Sequence, residues 1–267
     1  MLTPPLEKWL VNENFIRLFS KVEPSHRFAR TTFTSMMRII RSAIICALFV
    51  MFGTSQAQVN EDELGAWYMY FVNTTFGESQ WGLQGDLQYR NWDMIGDLEQ
   101  LLLRGGLTWS PKSANITLTA GYASIHTGVY GPEQTTSAEH RIYQEALFPS
   151  KIGDRIFLNH RLRYEQRFVE GQDFRTRYRY NLFLNIPLNK AEMEPKTIYL
   201  ALYNELFING QREIGNGRSV ELFDRNRTYG AIGYHLKAGP RVQVGIMQQT
   251  TDNWQKTQVQ ISLHHKI

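Results

Sequence analysis

The stretch HRLRYEQRF, residues 160–168, sets Arg161, Arg163, Glu165 and Arg167 on alternate positions, with His160, Leu162, Tyr164, Gln166 and Phe168 between them. Five residues on, FRTRYRYNLFLNIPL (174–188) repeats the pattern with Arg175, Arg177 and Arg179. A period of two is the signature of an extended strand with two unlike faces. The alternation alone fits two solvents. In a water-soluble barrel the leucines and aromatics point inward and the arginines meet water. In a membrane barrel the faces are exchanged, and the polar side lines the interior. Length separates the two. The pair 154–168 and 173–187 makes strands of about fifteen residues, well beyond the five or six usual in globular sheets.

The same period runs through WGLQGDLQYRNW (81–92), ITLTAGYAS (116–124), TIYLALYNELF (197–207), RVQVGIMQQ (241–249) and TQVQISLHH (257–265). No segment carries a sustained 3.6-residue stripe. Strands are expected at about 64–73, 80–91, 98–109, 115–127, 139–148, 154–168, 173–187, 196–208, 225–237, 240–250 and 254–266. Short connections at 110–115, 149–154, 189–196 and 238–240 alternate with longer polar ones at 128–137 and 209–222. Outer-membrane barrels have such unequal rims. Aromatics near strand ends (Trp67, Tyr68, Trp81, Tyr89, Trp92, Trp109, Tyr122, Tyr164, Phe168, Phe174, Tyr178 and Tyr180) match an interfacial girdle. The fold expected is all-β: an antiparallel up-and-down transmembrane β-barrel of about twelve strands, within a range of ten to twelve, because single-chain bacterial barrels have even strand numbers and both ends on one side.

Charge is unevenly spread. Of 29 Lys/Arg and 25 Asp/Glu, residues 1–57 hold seven and three, leaving twenty-two of each sign in the rest. The basic pI of about 9.1 therefore belongs to the N-terminal region. A body without net positive charge is a poor nucleic-acid binder. MRIIRSAIICALFVMFGTSQAQ, from Met37, has a positive start (Arg38, Arg41), an apolar run from Ala43 to Phe52 and small residues at Ser55 and Ala57. That is the layout of a cleaved signal peptide over 37–57, and the run is too short for a spanning helix. Residues 1–36 read as an over-extended start, and 58–267 as the mature barrel, beginning at Gln58. Cys46 lies in the leader, so the mature chain has no thiol for disulfides or metals.

On this reading Arg141, Glu145, Arg161, Arg163, Glu165, Arg167, Arg175, Arg177, Arg179, Glu205 and Arg227 share the lumen. A barrel of ten to twelve strands encloses little more than side chains. A filled, non-enzymatic lumen with an Arg/Glu network is the leading expectation, and a narrow porin-like channel for small anionic solutes is the alternative. A lipid hydrolase of the outer membrane is a third reading, with His126 beside Ser124 or His140 beside Ser137 as the pairs to assemble. The sequence has no GxSxG, Walker loop, HExxH or CxxC. No cofactor and no metal are expected. The expected partners are outer-membrane lipid and the barrel-insertion machinery, in a Gram-negative outer membrane.

EHRIYQE (139–145), the two arginine stretches, YNELFIN (203–209), FDRNRTYGAIGY (223–234) and the opening LGAWYMYF (64–71) together resemble an uncharacterised outer-membrane β-barrel family, domain of unknown function 2490. The resemblance spans roughly 64–267. It implies an exported barrel and brings no activity with it.

Overall fold

In the computed structural model, HRLRYEQRF forms the body of one long strand of a closed barrel. Residues 59–133 and 135–267 are described. The expected leader at 37–57, residues 1–36 and the expected first mature residue, Gln58, lie outside them. Every regular element among the described residues is a strand: β1 Gly65–Thr75, β2 Trp81–Asn91, β3 Leu98–Trp109, β4 Thr117–Gly128, β5 Thr136–Ile152, β6 Ile156–Val169, β7 Arg175–Pro187, β8 Ile198–Asn209, β9 Phe223–His235, β10 Arg241–Thr250 and β11 Gln255–Lys266.

Each strand pairs antiparallel with its chain neighbour, and β1 closes the ring against β11 in parallel, from Gly65 opposite Gln258 to Asn73 opposite Lys266. The eleven strands fall within the ten-to-twelve range but not on the even number. The parallel closure follows from the odd count. In an up-and-down meander of eleven strands the first and last run the same way, so they can meet only in parallel. The start of β1 and the end of β11 therefore lie on opposite rims, not on one side as expected.

The two faces separate as the alternation requires. Along β6, Arg163, Glu165 and Arg167 are buried, whereas Leu162 and Phe168 are about half exposed. The connections are less unequal than expected. Proline does not stop β5 at Pro149, which pairs with Asn159 inside the ladder, so the turn shrinks to 153–155 around Gly153. The longest connection, 210–222, carries a small bridge between Glu213 and Ser219, and Asp173 in the neighbouring turn donates its backbone N–H to Ile214.

Two bulges re-aim the chain. Between β2 and β3, Arg90 faces Gln100 and Asn91 faces Leu98, leaving Glu99 as the extra residue. Between β8 and β9, Phe207 faces Arg225 and Ile208 faces Phe223, leaving Asp224 over. A bulge breaks the two-residue period and sends neighbouring side chains to one face. Here each one adds a carboxylate to the interior.

Two tyrosines lock the wall. Tyr143 lies over Gly121 and Tyr199 over Gly233, each directly opposite in register. A Cβ added at Gly121 would meet the Tyr143 ring at 2.3 Å, and one at Gly233 the Tyr199 ring at 2.2 Å. Both rings are buried, so neither has room to retreat. Gly121→Ala or Gly233→Ala is expected to cost about 1–3 kcal/mol by overpacking, read as a lower denaturant midpoint of the folded barrel.

Candidate functional site: the charged interior

The interior is a chain of ion pairs handed from strand to strand. Glu139 on β5 accepts forks from Arg141 (2.7 Å to each oxygen) and from Arg167 on β6 (2.5 and 3.0 Å). Glu145 pairs with Arg163, whose Nε donates at 2.7 Å, and takes a further bond from Gln84 at 3.1 Å. Glu205 on β8 joins Arg179 at 2.5 Å to Arg161 at 2.8 Å. Asp224, the bulge residue, accepts from Arg177 at 2.7 Å and from Arg225 at 3.2 Å. On the far wall Asp86 accepts from Arg104 at 2.7 Å and from Gln88 at 2.6 Å.

Glu165 is the hub. It is 1% exposed and accepts from Arg177 and Arg179 at 2.6 Å each, with Arg141 and Arg163 both 3.8 Å away. Four guanidiniums thus surround one carboxylate. Charge-assisted forks of this kind are the strong hydrogen bonds of a protein interior.

Aromatic rings serve where carboxylates run out. Phe207, 1% exposed, has Arg177, Arg179 and Arg227 with guanidinium carbons 5.2, 4.4 and 4.8 Å from its centroid. Trp67 has Arg90 at 4.0 Å and Arg227 at 4.7 Å, and its indole N–H donates to Glu99 at 2.7 Å. A guanidinium over such a ring is worth about 0.5–2 kcal/mol, the more so when desolvated.

All eleven residues singled out in the sequence lie on the interior side of the wall. Ten are buried, and Arg161 keeps 15% of its side chain exposed. The sequence reading missed Arg90, Arg104, Glu99, Glu139 and Lys256. Arg104, between Leu103 and Gly105, shows the alternation; Lys256, between Gln255 and Thr257, has no apolar neighbour to mark it, and Glu99 sits at a bulge, where period two fails. Two girdle expectations are corrected. Trp67 points inward under Arg90 and Arg227, because its parity on β1 follows Met69 and Phe71. Trp92 lies in a rim cluster, with ring centroids 6.0 Å from Tyr130 and 6.1 Å from Trp254. Across this rim Lys256 donates to the carbonyls of Asn60 and Glu63 at 2.9 and 2.8 Å. Tyr130 donates to the Glu63 carboxylate, a bond that raises its phenol above the ordinary range.

The hydrolase pairs fare differently. Ser137 faces inward opposite Thr127, which bonds the interior Gln100, while His140 faces outward opposite Ser124, so the His140–Ser137 pair is split by the wall. The Nδ1 of His140 is engaged by the Tyr122 hydroxyl. His126 and Ser124 share the outer face, two residues apart on one strand, with no hydrogen bond between them among the described residues. Of the terminal pair, His264 stacks on interior Phe71 and His265 bonds outward Tyr70. No group of His, Cys, Asp or Glu among the described residues is placed to hold a metal ion.

The balance of charge is not even. Among the described residues ten cationic and six acidic side chains are buried, an excess of four positive. Arg90 and Arg227 have no carboxylate oxygen within 4 Å among the described residues; their side-chain acceptors are Gln88 and Gln100 for the first and Gln249 for the second. Eight arginines (90, 104, 141, 167, 177, 179, 225 and 227) surround a cavity of about 40 Å³.

Such a molecule is a closed β-barrel with a charged core and an apolar coat. The chain belongs to the family of proteins of unknown function DUF2490, which it matches over residues 64–260. No curated protein and no solved structure gives a match.

Proposed function

We propose that the protein is an integral outer-membrane β-barrel whose lumen is sealed by its own Arg/Glu network, and that it carries no catalytic centre. One observation carries this reading. Thirty-three large apolar side chains are exposed among the described residues, against fifteen apolar ones buried, while the arginines and carboxylates are inside. Leu83, Leu87, Leu103, Ile142, Leu162, Ile232, Val244 and Ile246 stand on the outer face of β2, β3, β5, β6, β9 and β10. A water-soluble monomer rarely exposes contiguous apolar area beyond a few hundred Å². Hydrocarbon is the solvent that accepts this coat, and a closed ring of strands leaves no backbone group unpaired within it.

The test is fractionation. The full chain is expected in the outer membrane after a carbonate wash, migrating differently on a gel before and after boiling. Recovery in the soluble periplasmic fraction would end the proposal.

A narrow anion channel is the second reading, favoured by the positive excess inside. Arginines of β2, β3, β5, β6, β7 and β9 converge on one cavity, which has room for only about three water molecules. Planar bilayers containing the protein are therefore expected to show no conductance steps. Steps abolished by Arg177→Ala would establish the channel instead.

A further inference from the structure

We propose that the arginine-walled cavity is a binding site for a small tetrahedral oxyanion, of which inorganic phosphate is the representative. The inference rests on the interior geometry and holds whichever solvent surrounds the barrel.

Three observations converge on it. First, the cavity wall is cationic: eight guanidiniums, one amide (Gln100) and two apolar side chains (Leu102, Phe207) line it, and no carboxylate does. Second, three of the lining cations keep donors that the network does not use, or lack a carboxylate partner among the described residues. Arg227 is 5% exposed and donates only through Nε, to Gln249 at 2.7 Å; its two terminal nitrogens have no protein acceptor among the described residues. Arg104 likewise spends only Nε, on Asp86. Arg90 is held by neutral amides. Third, these groups are stiffened in place. Trp67 supports both Arg90 and Arg227, and Phe207 supports Arg227 from a second side.

A buried guanidinium with free N–H groups and no counter-charge is uncompensated. Its planar fork matches two oxygens of an oxyanion, and several forks at different angles match a tetrahedron better than a sphere. Room for about three waters suits a compact ion and excludes a nucleotide or sugar phosphate. Arg225, which lines the cavity and keeps 24% of its side chain exposed, marks the side from which an ion would enter.

The experiment uses the folded full chain in detergent and a buffer free of phosphate and sulfate. Phosphate is titrated against chloride at constant ionic strength, so that screening does not change. Calorimetry is expected to show saturable binding near one ion per chain, and the thermal midpoint to rise with phosphate. Sulfate should act similarly and chloride at least tenfold more weakly. Arg227→Met is expected to weaken phosphate binding at least tenfold, and Arg212→Met, in the exposed 210–222 connection, to leave it unchanged. No saturable heat with the unaltered protein overturns the proposal without recourse to any variant. An equal response to chloride, or full binding retained in Arg227→Met, overturns it as well. Should Arg227→Met fail to fold, Arg90→Gln reads the same site, since Arg90 also lines the cavity and packs on Trp67.

Discussion

Glu165→Gln is expected to cost the folded barrel about 3–5 kcal/mol, the usual penalty when one partner of a buried charge cluster is removed. The substitution keeps the size of the side chain and deletes only its charge. It leaves Arg177 and Arg179 without the carboxylate that each approaches at 2.6 Å, and Arg141 and Arg163 without their second-nearest counter-charge. Against a total stability of about 5–15 kcal/mol for a typical domain, that is enough to move the denaturant midpoint far or prevent folding. Arg177→Met in the same chain should return part of the loss, because one of the stranded cations is then gone. Unfolding followed by tryptophan fluorescence measures both. A cost below about 1 kcal/mol, the figure for exposed pairs, would mean that water reaches the hub.

Leu103→Arg should reveal the solvent. Leu103 is 61% exposed at the middle of β3, facing out between Leu87 and Ser124. If the outer face meets hydrocarbon, an arginine there costs about 2–4 kcal/mol at mid-depth. If it meets water, the change stays within about 0.5 kcal/mol. The two expectations do not overlap, and the equilibrium unfolding of the refolded barrel in lipid distinguishes them. A near-neutral result would remove the membrane from the proposed function while leaving the barrel itself intact.

Most of the strand pattern was legible because alternation is a local property. The expected ranges differ from the observed strands by a few residues, chiefly at 136–152, where Pro149 stays in the ladder because its missing N–H is tolerated there. The inward direction of Arg161 to Arg179 was legible for the same reason. What local pattern cannot carry is which residue is doubled at a bulge, so neither Glu99 nor Asp224 has a local signature. Nor can parity alone say whether an aromatic belongs to the coat or the core. Trp67 reads like Tyr68 in sequence, and which of the two parities on β1 faces inward is settled only by the neighbours it meets, Arg90 and Arg227. The pairing of β1 with β11 joins residues from the two ends of the barrel, a long-range fact with no local signature.

That last pairing gives the molecule a head and a tail. Strands that close a ring side by side in the same sense cannot bring their beginnings and ends together. At about 3.3 Å per residue, the eleven residues of β1 carry the chain about 36 Å along the wall. The polypeptide enters the wall at one rim, at Gly65, and leaves it at the other, after Lys266.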